Sequence, residues 1–222
     1  MKFRVIGGVA ALLAAGMWFG IAPAHATSMD KPLNLTELVQ ASHDIVKGTV
    51  SKISQGRIGS TPYTEIEVAV DETIRGQASP TVTFRQLDLQ SKGPAENGRV
   101  YLGDLPGMPK YEVGEHVILF LGKPGLEGFR TTVGLQQGKF SIRGGNAENA
   151  FSNQGLFHDV RLGRRAALDE KETAMVATRK GVVGAETFLG LVKRAVDQNW
   201  WGAPASGSSG GGSKLRLQNK AQ

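Results

Sequence analysis

Apolar and polar side chains alternate most cleanly at residues 63–70, where Ile66, Val68 and Val70 are interleaved with Glu65, Glu67 and Ala69. Successive side chains of a strand point to opposite faces, so this period predicts a half-buried strand with one wet face. Residues 44–50 and 81–84 are rich in β-branched side chains and predict two more strands. Residues 116–121 are apolar at nearly every position, the pattern of a central strand buried on both faces. Two further strand candidates lie at 129–133 and 138–142, and the close spacing of the strands predicts antiparallel neighbours.

Helical spacing occurs outside this block. Asn34 stands three residues before Glu37 in capping-box register, and Leu35, Leu38 and Val39 share a face, which predicts a short helix that needs tertiary packing to persist. Residues 166–179 are rich in good helix formers. Residues 185–198 place Phe188, Leu191, Val192, Ala195 and Val196 on one stripe, with Lys193 and Arg194 late enough to suit the helix dipole. That stripe predicts an amphipathic helix docked on the strands, sealed by Trp200 and Trp201.

Between the periodic segments the chain is glycine- and proline-rich. Residues 55–62 read as a turn-rich stretch, and 86–109 as a long connection interrupted only by Val100, Tyr101 and Leu102. Residues 144–163 are polar and weakly patterned, and 206–213 form a Ser/Gly linker.

The first residues carry a different signal. Lys2 and Arg4 precede an uncharged apolar run at 5–24, and Ala24-His25-Ala26 supplies small residues for cleavage after Ala26. The run is also long enough for a retained anchor. Gly7, Gly8, Gly16, Gly20 and Pro23 weaken that alternative, and no second run of similar length follows. The expectation is an exported protein, periplasmic or extracellular, with no transmembrane segment after cleavage. Four regions result: a signal peptide at 1–26, a β-barrel domain with a short N-terminal helix at 27–142, a helical extension at 143–203, and a linker with a basic tail at 204–222.

Charge narrows the class of partner. The chain has 26 Lys and Arg against 20 Asp and Glu, a net charge of +6. Cleavage removes Lys2 and Arg4, and Lys214, Arg216 and Lys220 crowd the C-terminus, so the body is close to neutral. That excludes a basic nucleic-acid-binding stripe and leaves the tail a weak contact with anionic surfaces. The absence of cysteine excludes disulfides, thiol nucleophiles and Cys-ligated metals.

The order Asp44-Ile45-Val46-x-Gly48-x-Val50, Thr64-x-Ile66-x-Val68-x-Val70, Ile74-Arg75-Gly76, Val82 to Phe84, Val113-Gly114-Glu115 and Val133-Gly134-Leu135-Gln136-Gln137-Gly138-Lys139-Phe140 resembles a group of exported bacterial proteins of unassigned function. It is similar, more distantly, to the netrin-like barrel of tissue inhibitors of metalloproteinases. The resemblance covers residues 35–142. It implies a mainly β fold, a small closed five- to six-stranded Greek-key barrel of oligonucleotide/oligosaccharide-binding-like form with flanking N- and C-terminal helices. Those inhibitors act through an N-terminal cysteine on zinc. The expected mature start here is Thr27-Ser28, so no inhibitory residue is carried over.

Catalytic signals are sparse. The mature chain has three histidines, His43, His116 and His158. His43-Asp44 and His158-Asp159 are adjacent pairs, and neighbours on a strand point apart, so neither pair converges by itself. There is no His-Glu-x-x-His pair, Gly-x-Ser-x-Gly elbow, P-loop or dinucleotide fingerprint, and the sequence names no catalytic residue, metal ligand or cofactor. Two functions remain. The favoured one is a non-catalytic binding or interaction module that meets an envelope or extracellular protein or a saccharide, with Asp104, His116, Trp200 and Trp201 as candidate surface or ligand contacts. The alternative is a secreted hydrolase whose site is assembled from Asp44, His116 or Asp104 under the 86–109 loop, which requires at least two of them within hydrogen-bonding reach.

Overall fold

A computed structural model describes residues 31–88, 107–160 and 167–200. The stretch expected to be a signal peptide, most of the 86–109 connection, the Ser/Gly run and the basic tail lie outside the described residues.

The chain opens with helix α1, Leu35–Ala41, capped by the expected box: Asn34 accepts the Glu37 N–H and Glu37 accepts that of Asn34. Strands β1, Asp44–Ile58, and β2, Thr61–Arg75, then form a hairpin of two 15-residue strands. The stretch read as turn-rich is therefore mostly strand, with only Gly59 and Ser60 between. Strand β3, Thr81–Leu87, completes a meander, and β4, His116–Leu121, returns to pair with β1. β5, Lys139–Arg143, lies beside β4. β6, Asn146–Asn149, and β7, Val183–Gly184, extend the sheet, followed by α2, Glu170–Val176, in the loop between them and by α3, Ala185–Asp197.

The strand order is β3-β2-β1-β4-β5-β6-β7, every pairing antiparallel. The fold is mainly β as expected; among the described residues the sheet has seven strands rather than five to six, and no ladder joins β3 to β7. The candidate strand at 129–133 is reduced to two single bridges, Phe129 to Arg85 and Thr132 to Leu121. The polar segment after residue 143 hides one short strand, β6, which is held by buried amides. Asn149 accepts the N–H of Asn153 and Asn153 that of Asn149, each at 2.9 Å, and Asn153 Nδ2 donates to the carbonyls of Ala147 and Gly181.

β4 is central as its pattern requires, and its two faces enter two cores. Ile118 and Phe120 face outward into the larger core, with Ile45, Phe140 and the helical residues Leu35, Leu38, Phe188, Leu191 and Val192. Three rings meet there, Phe140 to Phe188 at 4.9 Å and Phe120 to Phe140 at 5.5 Å. Val117, Leu119 and Leu121 face inward with Val46, Val50, Ile66, Val68 and Phe84. Three register shifts in the β1–β2 ladder bend the sheet around this inner core. Gly48 permits a close backbone approach: a Cβ there would lie 2.2 Å from the Ala69 carbonyl oxygen.

Candidate functional site

The outer face of the sheet is divided. Its proximal half lies under α1 and α3, and the border is marked by ion pairs from Lys47 to Glu186 at 2.7 Å and from Lys193 to Glu72 at 2.6 Å. The first bond raises the pKa of Lys47 and lowers that of Glu186. Beyond the border, β1, β2 and β3 present Lys52, Ser54, Gly56, Tyr63, Glu65, Glu67, Thr83, Arg85 and Leu87, as the ladder register requires. No residue of this distal half belongs to the apolar cluster under the described α-helices.

At its end Tyr63, Arg85 and Phe129 are assembled from three elements. Gly56 lies opposite Tyr63 in the ladder, and a Cβ there meets the phenol ring at 2.4 Å, so the ring lies down over β1. The Arg85 guanidinium sits 4.7 Å from the Tyr63 ring centre, and its Nε donates to Glu65 at 2.8 Å. That bond raises the proton affinity of Arg85 further. Phe129 meets Tyr63 edge to face at 6.3 Å.

Arg85 also anchors a loop. Its Nη1 donates to the Glu127 carbonyl at 2.9 Å, and its own carbonyl accepts the Arg130 N–H at 2.8 Å. Within the loop, Gly122 N–H bonds Thr131 and Gly125 N–H bonds Phe129, while Glu127 and Gly128 turn through positive φ of 55° and 78°. The base is fixed by Arg130, which is buried, donates through Nε to Gly122 O at 2.6 Å, and pairs with Asp44. The result is a braced turn that holds Leu126 88% exposed, and Leu87 at the end of β3 is exposed as well. A single exposed leucine is ordinary; one held on a preorganised loop offers a partner an anchor without an ordering cost.

The candidates from sequence are placed as follows. His116 is exposed at the start of β4, its Nδ1 2.9 Å from Thr49 Oγ1. Asp44 pairs with Leu121 at the other end of the same ladder, five positions from Thr49 and hence roughly 17 Å from His116 along the strand. These two members of the hydrolase set are therefore not brought together; Asp104 and Trp201 lie outside the described residues. Trp200 is buried in the outer core and donates through Nε1 to Gln198 at 3.0 Å. The adjacent pairs do make contact, against expectation: His43 Nδ1 is 3.0 Å from Asp44 and His158 Nδ1 3.5 Å from Asp159. His43 precedes the strand and His158 sits in a turn, so strand alternation does not apply. Among the described residues no group of three or more His, Asp or Glu side chains is placed to hold a metal ion, and no helix is long and apolar enough to cross a membrane.

Sequence reasoning missed Leu126, Arg85 and Tyr63. Leu126 had a signal, as the lone apolar residue in Pro124-Gly125-Leu126-Glu127-Gly128, a sequence that otherwise reads as a bare turn. The chain matches no protein-family model and no curated protein.

Proposed function

We propose that the protein is an exported, non-catalytic binding module of the envelope or extracellular space, and that it docks a protein on its distal outer face. The observation that carries this is the loop that holds Leu126 out in water while Arg85 braces it through the Glu127 carbonyl, with the Arg85–Glu65 pair as a polar rim. Interfaces concentrate energy in a few anchors on rigid supports, ringed by polar groups. A saccharide fits less well. Sugars stack on an open aromatic face, and the Tyr63 ring has Gly56 beneath it and Arg85 above.

The resemblance to netrin-like and oligonucleotide/oligosaccharide-binding-like Greek-key barrels belongs to the same proposal. It is supported by the return of β4 to the side of β1 after a three-strand meander, and by the bridges that tie residues 129 and 132 to β3 and β4. In this reading the braced loop is the piece that draws the barrel shut.

The test uses the mature chain as bait in a secreted or periplasmic fraction, beside a glycan array. The expected result is a saturable protein partner whose affinity falls at least tenfold with Leu126→Asp and is unchanged with His116→Ala, both variants retaining the wild-type circular dichroism spectrum. Glycan binding without a protein partner, or a partner indifferent to Leu126→Asp, overturns the assignment.

A further inference from the structure

Residues 107–115 cross the open side of the inner core and are held chiefly by side chains of the β5 region. Gln136 binds two consecutive carbonyls at the segment's start, its N–H donating to Gly107 O at 3.0 Å and its Nε2 to Met108 O at 3.1 Å. Lys139 does three things at once. Its ammonium donates to the Lys110 carbonyl, pairs with Glu115 at 2.7 Å, and lies 4.8 Å from the centre of the Tyr111 ring. Ser141 adds a 2.6 Å bond to Glu115 Oε1, and Gly114 N–H closes the segment onto Val50 O at 2.8 Å.

Tyr111 is the part that enters the core. Its ring meets Phe84 edge to face at 5.7 Å, and the hydroxyl lies among Gln86 and Thr132, both buried. The fit is imperfect at the polar end: Tyr111 Oη and Gln86 Nε2 are both buried without a hydrogen-bond partner of ordinary geometry. Burial, with Glu115 nearby, pushes the phenol well above its ordinary range, outweighing the opposing influence of Thr132 and Gln86.

Those surroundings are the chemistry of a phenol site: an aromatic edge, a cation over the ring, an amide and a hydroxyl at the end. We infer that residues 107–115 form a releasable strap, and that the slot its Tyr111 fills also takes a small phenolic ring from solution. A segment held by side chains opens below the cost of global unfolding. An outside ligand can then occupy the slot only in the fraction of molecules whose strap is open, so any change that loosens the strap raises apparent affinity by the same factor. The inference is independent of docking at Leu126, which lies on the outer face.

Glu115→Gln is the discriminating variant, since it is isosteric and leaves Lys139 over the ring. Hydrogen exchange of the full chain should show strap amides about tenfold faster in this variant, with 117–121 and α3 unchanged. p-Cresol, followed by the ring signals of Phe84, should bind Glu115→Gln about tenfold more tightly than wild type, and Tyr111→Ala more tightly than either. Exchange that rises throughout the chain or nowhere, or p-cresol affinity equal in all three proteins, overturns the inference. Ser141→Ala loosens the same latch and serves if Glu115→Gln does not fold.

Discussion

On one face of β4, Ile118 and Phe120 share a core with three helices; on the other, Val117, Leu119 and Leu121 meet strands and the Tyr111 strap. The outer core draws Leu35, Leu38, Phe188, Leu191 and Val192 from α1 and α3, and its ring cluster is fully buried. The inner core is smaller, mostly β-branched, and finished by polar pairs at its rim, Asp44 with Arg130 and Glu115 with Lys139. A helix covers a face with its own hydrogen bonds already satisfied, whereas irregular chain must bring side chains to satisfy its backbone. The two faces of one sheet thus differ in how separately they can open, and the inner one is where motion is expected.

Removing a ring from the outer core should have the largest effect. Phe188→Ala vacates a fully buried position between Phe120 and Phe140 and should cost about 3–5 kcal/mol, read as a lower denaturant midpoint with both faces lost together. An inner core that keeps its exchange protection in this variant would show that the faces fold separately. Next in size, Arg130→Met leaves the Asp44 carboxylate with only its exposed His43 contact and should cost about 3 kcal/mol, with Asp44→Leu in the same chain recovering much of it. No recovery in the double variant would mean that the loop base depends on the Arg130 bond to Gly122 rather than on charge.

The smallest effect concerns acid. Burial raises the Glu37 carboxyl, but its bonds to the Asn34 N–H and to Lys31 outweigh this and hold it below its ordinary value of 4.5. Stability from that group is therefore complete above pH 4.5 and lost as pH falls through the lowered value. Amides of α1 should exchange faster at pH 3 than at pH 6 once intrinsic rates are corrected, and Glu37→Gln should abolish the difference.

What could be seen in the sequence was what a local pattern encodes. The α1 capping box, the alternation of Ile66, Val68 and Val70, and the two-sided burial of β4 each follow from a few neighbouring residues. The distal half of β1 was hidden because Gln55, Gly56 and Arg57 look like turn residues, and their strand conformation is imposed by pairing with Thr64, Tyr63 and Pro62. Residues 129–133 were strand-like in composition, yet Arg130 must turn inward to Asp44, which interrupts pairing. β6 was invisible because its stabilisation comes from Asn149 and Asn153 bonding across a turn. The candidate site was illegible for the same reason: Tyr63, Arg85 and Phe129 are spread over 67 positions, and only register unites them.

The long β1–β2 hairpin has a practical corollary. Its tip, Gly59 and Ser60, is exposed, and a Cβ added at Gly59 meets nothing within 4 Å. A fluorophore or epitope spliced between those two residues therefore reports from the end of a long paired hairpin, at little risk to either core.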